Sequence, residues 1–494
     1  MFPLTALCNG LVVPLTAADF FASLQKFFTD LLMTSVNFLY SWVLLFLLIG
    51  VGIFFTVYLR GIQVSHARDI FTSLSGSRTS AMQGITSFQA FAVGVGTRIG
   101  IGNIGGVALA LVVGGPGAIF WMWIVALLGM ATSFAESVLA QLFKTPHKDG
   151  TFRGGPEYYM RDGLGWKVPA AIFAVVSIVA SGLAVPMVQI NTMAKTFEAN
   201  HGVSPLSTMI FILMLLAPVI LGGIKSVARA SEYLAPFMAA FYLLITIAVI
   251  ALHPLQAWNA LVWIVVSAFG FGPLAGGILG GIFVALVNGA RRGLFSNEAG
   301  LGTTPHAAGA ATVAHPAQQG FVQALGVFID TIVVCTATAL LILISGVYQP
   351  GMEADAAGAL TANAVTSTLG SWMTLPMSLV IFIFGYTSAY GAYSYGQVAL
   401  DHLTDNRVLS WTFRVAAVFV AAAGAIVSLP VAWALSDFLL GLGALVNLAA
   451  LVALGKWVRV VLEDWDAQRS NGGDIQFRAA PYAQLQERVD SNIW

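Results

Sequence analysis

The feature that most constrains this chain is the recurrence, from Ser41 to Val458, of apolar runs long enough to cross a lipid bilayer, with no soluble-looking block between them. A spanning helix needs about 20 apolar residues, because hydrocarbon offers no water to unsatisfied backbone groups. Eleven segments qualify, some with glycine interruptions: 36 to 59, 87 to 113, 117 to 143, 169 to 196, 205 to 224, 231 to 252, 278 to 310, 319 to 347, 372 to 400, 410 to 428 and 431 to 455. Composition agrees, since only 9% of residues are charged against about a quarter in an ordinary soluble domain. The expected fold class is an all-α membrane protein with about 11 transmembrane helices in one domain, spanning residues 36 to 458.

Lys and Arg concentrate in the cytoplasmic loops next to span ends, so they test the count. Arg60, Arg68 and Arg78 follow the first span; Lys144, Lys148, Arg153, Arg161 and Lys167 the third; Lys225 and Arg229 the fifth; Arg407 and Arg414 the ninth. All fall on one side if the N-terminus is outside, and the C-terminal tail 459–494 then lies in the cytoplasm. The opposite loops Gln349 to Gly370 and His253 to Val262 carry no Lys or Arg. A multi-pass protein of a bacterial inner membrane is the expected setting. Segment 1–35 lacks a basic region ahead of its apolar patch and is read as retained rather than cleaved. Within the tail, Glu463 to Trp494 is polar and mixed in charge and is read as a surface helix or flexible end rather than a regulator, without an assigned role. Cys8 and Cys335 lie too far apart to suggest a disulfide framework. Net charge is zero and the one basic pair is Arg291-Arg292, which excludes a nucleic-acid partner.

Two of the spans break the helical rule. The second reads Phe91-Ala-Val-Gly-Val-Gly-Thr-Arg-Ile-Gly-Ile-Gly-Asn-Ile-Gly-Gly106, and the seventh contains Asn288-Gly-Ala-Arg-Arg-Gly-Leu-Phe-Ser-Asn-Glu-Ala-Gly-Leu-Gly302. Each glycine costs a helix about 1 kcal/mol relative to alanine, and unwound backbone at this depth is tolerated only against protein or a wet cavity. An isolated pair such as Gly276/Gly280 or Gly277/Gly281 is read as close helix packing. Glycines clustered with Asn103, Ser296 and Asn297, at the start of two five-span blocks, point instead to an inverted-repeat transporter. The repeats would be 87–252 and 278–455, preceded by the extra helix 36–59. Gly100-Ile-Gly-Asn-Ile-Gly105 matches a dinucleotide-binding pattern, but no strand precedes it and the next acid is Glu136, so that reading is set aside.

A broken helix presents a half-helix N-terminus, which suits a carboxylate, and a half-helix C-terminus, which suits sodium or an ammonium group. The pair matches a zwitterion without a buried charged side chain, so an amino acid is the natural ligand. Sodium needs roughly five or six oxygens, and Thr387-Ser388 in span nine are candidates, weighed against hydroxyls that bond back to their own helix. Six ionisable residues sit in or beside the spans, namely Arg98, Glu136, Arg291, Arg292, Glu298 and Asp330. Neutral pairing competes with a proton relay or gating role for Glu298 or Asp330. The seven histidines, at 66, 147, 201, 253, 306, 315 and 402, show no metal-ligand spacing on one helix face, which argues against an enzyme. A channel would repeat a filter around an axis.

The stretches Gly100-Ile-Gly-Asn-Ile104, Gly114-Gly-Pro-Gly-Ala-Ile-Phe-Trp-Met-Trp123, Asp149-Gly-Thr-Phe-Arg-Gly-Gly-Pro-Glu-Tyr-Tyr159 and Arg292-Gly-Leu-Phe-Ser-Asn-Glu-Ala-Gly-Leu-Gly302 resemble the alanine or glycine:cation symporters, over about residues 37 to 458. The resemblance implies the fold of the bacterial leucine transporter and sodium-driven uptake of alanine or glycine, with no cofactor beyond the coupling ion. Carried across, it implies a substrate site of Thr97, Gly100, Ile101, Gly102, Asn103, Phe295, Ser296, Asn297 and Ala392. The implied sodium site joins carbonyls of Gly96 and Ile99 to Thr387 and Ser388. The chain departs from the family pattern at Ile101, where a Thr is usual, at Ala392, where a Trp is usual, and at Gln397, where a Glu is usual. Trading Trp for Ala empties well over about 100 Å³, a volume scale on which engineered cavities admit a benzene-sized guest. A larger neutral amino acid, sodium- or proton-coupled, is therefore the second expectation, unless Tyr390 or Tyr393 refills the space.

Overall fold

The computed structural model describes residues 30–74, 84–270, 277–426, 429–472 and 475–494. Most of segment 1–35, with Cys8, and also Arg78 and Gly276 lie outside the described residues. The order is α1 (Asp30–Tyr58), α2 (Ser87–Arg98), α3 (Gly102–Gly114), α4 (Gly117–Leu142), α5 (Lys167–His201), α6 (Pro205–Leu221), α7 (Gly223–Leu252) and α8 (Pro254–Ala268). Then come α9 (Gly277–Asn297), α10 (Pro305–Gly309), α11 (Pro316–Ser345), α12 (Ala357–Leu369), α13 (Thr374–Leu403), α14 (Arg407–Ala423) and α15 (Leu429–Ser470). Local chemistry sets several starts. Thr86 and Gln89 form a reciprocal capping box at α2, Ser204 caps α6 just ahead of Pro205, and Asn406 caps α14.

Among the described residues, seven helices are long and apolar enough to cross a membrane: α1, α4, α5, α7, α11, α13 and α15. The pair α2 and α3, bent by 49° at its break, makes an eighth. Helix also occupies the other expected spans, but α6 and α14 have 17 residues each, and α9 carries Arg291 and Arg292 in its length. Exposed large apolar side chains, among them Trp42, Phe46, Met214, Phe237, Ile247, Trp411 and Phe419, cover the outside. A soluble monomer seldom tolerates apolar patches of this extent, whereas lipid requires them. The core lies on α4, buried without a gap from Gly129 to Leu142, and on α13, buried from Phe384 to Leu400.

Two helices occupy stretches read from sequence as connecting loops, α8 and α12. Pro254 supplies a helix-compatible first residue to α8, and fifteen residues rise only about 22 Å, too short to span. Its end lies against the start of α4 at Gly117, where an added Cβ would stand 2.6 Å from the backbone of Ser267. An added Cβ at Gly280, expected to serve close packing, would meet nothing within 4 Å among the described residues.

Strand pairing orients the broken segments. Strand β1 (Ile85–Thr86) enters α2, β2 (Thr145–Pro146) pairs with β3 (Phe152–Arg153), and β4 (Ala311–Thr312) follows α10. β1 pairs in parallel with β4, so α2 leaves the end of the molecule at which α10 arrives. The tail is docked on that same end. Phe477 N donates to Ala314 O at 3.0 Å, Trp494 Nε1 to Gln141 O at 3.1 Å, and the Arg488 guanidinium to Gly163 O, while Ala479 and Leu485 are fully buried. Of the two expectations for the tail, the helix holds as far as Ser470, where α15 ends, and the flexible end is corrected: residues 475–494 are polar in composition but anchored through backbone carbonyls of the helical body.

Candidate functional site

The first break is built by glycine and closed by neighbours. After Arg98, Gly100 N turns to Arg98 O at 2.8 Å instead of continuing to the carbonyl of Gly96. That leaves carbonyls at the end of α2 without intrahelical donors. Asn103 stabilises the bend, its Oδ1 accepting from Gly100 N at 3.2 Å, and Gln189 Oε1 accepts from Ile101 N at 3.3 Å. Ser388 Oγ donates to Thr97 O at 2.8 Å.

The second break runs from Asn297 to Pro305 and contains Glu298 with φ of 56°, together with Gly300 and Gly302 in the left-handed region. Here the peptide groups are already engaged. Glu136 accepts from Gly300 N and Gly302 N, each at 3.1 Å, and from Asn447 Nδ2 at 2.6 Å. Asn297 Oδ1 accepts from Ala299 N at 3.0 Å, and Glu298 accepts from the hydroxyls of Thr303 and Thr304 at 2.7 and 3.2 Å. Both breaks line one cavity, but they are held differently: the first-break peptides by the amide oxygens of Asn103 and Gln189, the second-break peptides chiefly by the Glu136 carboxylate.

Between them lies a cavity of about 30 Å³, lined by Thr97, Arg98, Gly100, Gly102, Ser181, Val185, Gln189, Phe295, Glu298, Leu301, Thr303, Ser388, Ala392, Tyr395 and Leu440. Room on this scale suits a water or so and no amino acid, so a ligand requires the walls to part. Of the expected substrate residues, Thr97, Gly100, Gly102, Phe295 and Ala392 reach the cavity, as does Ser388 from the expected sodium set. Ile101, Asn103, Ser296 and Asn297 stand behind it, bonded to neighbouring protein groups. Gly96 lies against Thr387, whose Cβ would be 3.5 Å from a Cβ added at Gly96. The Thr387 hydroxyl donates to Ile383 O at 2.9 Å within its own helix, and Ile99 is fully buried. Sequence reasoning missed Ser181, Gln189, Tyr395 and Leu440. Ser181 and Gln189, two turns apart in an otherwise apolar run, were a usable signal, and Ser181 lies in a wide turn of α5 at Ala180–Ala184.

Tyr390 and Tyr393 do not line the cavity. Tyr393 OH donates to Gln397 Oε1 at 3.1 Å and its ring stacks on Phe413, while Tyr390 packs edge-on against Tyr386. None of the ion pairs among the described residues involves the six ionisable residues singled out above. Arg98 donates instead to Gln323 O at 3.2 Å and to Ser133 Oγ at 3.0 Å, and Arg291 to Asn37 Oδ1 at 2.9 Å. Toward the end that carries the tail, the molecule is sealed. Arg153 Nε donates to Asp401 at 2.7 Å and its terminal nitrogen to Asp149 at 2.9 Å. Burial works against the Asp149 carboxylate, yet His147, Arg153 and Thr151 together hold its carboxyl well below the usual range.

Comparison with known proteins matches this architecture along its length. A profile of the Sodium:alanine symporter family covers residues 25–479. The probable sodium/glutamine symporter GlnT of Bacillus subtilis is 39% identical over 89% of this chain and 91% of its own. The sodium/alanine symporter AgcS of Methanococcus maripaludis is 39% identical over 86% of this chain and 95% of its own. The sodium/proton-dependent alanine carrier protein of Bacillus sp. PS3 is 34% identical over 82% of this chain and 93% of its own. Agreement of this extent takes in both breaks and the helices around them, and the chain belongs to the sodium:alanine symporter family, a family of membrane transporters and not of enzymes.

Proposed function

We propose that this chain imports a small neutral amino acid, alanine or glycine first, in symport with sodium by alternating access across a bacterial inner membrane. The observation that carries it is the first break, where the C-terminal end of α2, the N-terminal end of α3 and Ser388 meet at one cavity. The N–H groups opening α3 would take the substrate carboxylate, in the place that Gln189 Oε1 now occupies. Carbonyls of Gly96 and Ile99, with the Thr387 and Ser388 hydroxyls, would take sodium. The zwitterion is itself net neutral, and the single positive charge that sodium adds would be met by carbonyl and hydroxyl oxygens at the break rather than left uncompensated.

The same reading holds eleven spans, a body of residues 36 to 458 and two inverted repeats, 87–252 and 278–455, after one extra helix. The pairing of β1, which opens α2, with β4, which follows α10, supports it by setting the start of one broken segment beside the end of the other. The end bearing Lys148, Arg153 and the docked tail would be cytoplasmic, with the N-terminus outside. Phe295, half-exposed beside the cavity, would be among the groups that move when it opens.

A larger neutral amino acid is the second reading. Ala392 lines the cavity and neither Tyr390 nor Tyr393 turns toward it, so a wall that opens can yield side-chain space there. Proteoliposomes loaded with the purified chain decide between these readings. Uptake of labelled alanine driven by an imposed sodium gradient, and competed by glycine more strongly than by leucine or glutamine, is expected. Competition dominated by glutamine or leucine would transfer the assignment to the larger substrate, and uptake driven by a proton gradient alone would remove sodium.

A further inference from the structure

Asp330 lies in the wide-turned stretch Phe328–Cys335 of α11, fully buried, and its carboxylate touches both broken helices at shorter range than the Cys335 thiol beside it, which meets Asn103 Nδ2 at 3.4 Å and Ser296 Oγ at 3.2 Å. Oδ1 accepts from Asn103 Nδ2 at 2.7 Å, on the first; Oδ2 accepts from Ser296 Oγ at 2.8 Å, on the second. Thr331 Oγ1 donates to Oδ2 at 2.7 Å. The link continues into the cavity wall, because Asn103 also accepts from Gly100 N, the peptide at the bend itself. Ser296 stands two residues before Glu298, where the second helix unwinds. No ion pair among the described residues engages Asp330, and Arg98, the nearest buried cation in the sequence of the break, is held by Gln323 and Ser133. An ordinary structural carboxylate in hydrocarbon is paired with a base. This one is satisfied by three neutral donors, and two of these belong to segments that must keep a fixed relation if cavity and sodium site are to form together.

We propose that Asp330 is the positioning residue that locks the two breaks into a single unit, so that the wall formed by Phe295 is set against the cradle formed by Gly100 to Gly102. This rests on the proposed symport, but the geometry can be tested without transport. Hydrogen bonds to a charged acceptor are stronger than those to an amide. An Asn at 330 would also turn an amide N–H toward one of the donors. The charge swap N103D/D330N restores the same connection with the carboxylate on the other helix.

The full chain, purified in detergent, is given the pair Gly102→Cys and Phe295→Cys, chosen because a Cβ on residue 102 would lie 3.3 Å from the Phe295 ring. A short bifunctional thiol reagent then reports how closely the two breaks approach. Cross-linking is expected to slow several-fold in D330N and to recover in N103D/D330N. In parallel, without the cysteines, sodium half-saturation of uptake is expected to rise about tenfold in D330N with a smaller change in maximal rate per folded protein. S296A, which removes a single donor and is milder on folding, is expected to lie between. Equal cross-linking in D330N and S296A and the parent would overturn the proposal whatever solute is carried. So would a charge swap no better than D330N alone. If cross-linking follows the pattern while no sodium-driven uptake is seen in the unmodified chain, the positioning role stands and the transport reading fails.

Discussion

Ser388 shows how little a binding residue needs to differ from a structural one. Its hydroxyl donates to Thr97 O at 2.8 Å, and a Cβ on Gly100 would lie only 3.0 Å from its Oγ, so the side chain is pressed against the bend. A hydroxyl that donates one proton still has lone pairs for a cation. Replacing Ser388 with Ala removes that oxygen and leaves Thr97 O without its donor, a loss worth about 1–3 kcal/mol for a buried acceptor. The expected result is a sodium half-saturation raised about tenfold with modest thermal destabilisation in sodium-free buffer. Sodium activation that matches the parent would take Ser388 out of the ion site. At this scale the sequence exposed the right stretches, since Gly, Asn and Ser clustered in an apolar run can be explained only by unwound backbone. It did not separate Gly100 and Gly102, which face the cavity, from Asn103, Ser296 and Asn297, which hold the bends from behind. Depth along a span can be counted from its ends, whereas rotation about the helix axis depends on neighbours that lie hundreds of residues away.

At the scale of elements, the approach of α5 to α13 decides how near Ser181 and Ala392 stand across the cavity. These helices touch through glycines: a Cβ on Gly396 would stand 2.5 Å from Gly182 Cα and 2.8 Å from Gly182 N. Two effects oppose each other in Gly396→Ala. Helix propensity favours alanine by about 1 kcal/mol, while overpacking against backbone, which cannot swing aside as a side-chain tip does, costs about 1–3 kcal/mol. The second should win, giving a lower melting temperature for the purified transporter in detergent and a further loss when Gly182→Ala is added. A melting temperature above the parent's would show that the crossing relaxes without cost. The glycine that governs this contact carried no separate signal, because one small residue in a span reads the same whether it faces lipid or another helix. The helices α8 and α12 escaped for a related reason: runs too short to cross were assigned to loops, although tertiary contacts with α4 and α11 hold a short apolar helix that length alone does not favour.

For the whole molecule, the end that receives β1 and β4 is closed by a chain of contacts that starts in the tail. Trp494 Nε1 donates to Gln141 O, and the Gln141 side chain in turn donates to Ala311 O at 2.9 Å and to Ala308 O, just beyond the second break. Lys144 Nζ joins them, donating to Gln141 Oε1 at 2.7 Å and to Ala311 O at 2.9 Å, with the Trp494 ring 5.0 Å away. Composition gave no hint of this, because the tail's acceptors are main-chain carbonyls of Gly163, Gln141 and Ala314, identical in every sequence. Deleting residues 475–494 would strip the buried Phe477, Ala479 and Leu485 from the body. Burial of large apolar side chains at about 2 kcal/mol each outweighs the chain entropy released by a segment this short and already anchored. The truncated transporter is therefore expected to melt roughly 5 °C lower. Hydrogen exchange should rise in residues 141–144 and 308–315 while α2 and α3 keep their protection, because loss of the tail frees the end that they share with it without touching the cavity. Unchanged exchange at 308–315 after truncation would mean that the seal belongs to Gln141 and Lys144 alone, and that the tail merely rests upon it.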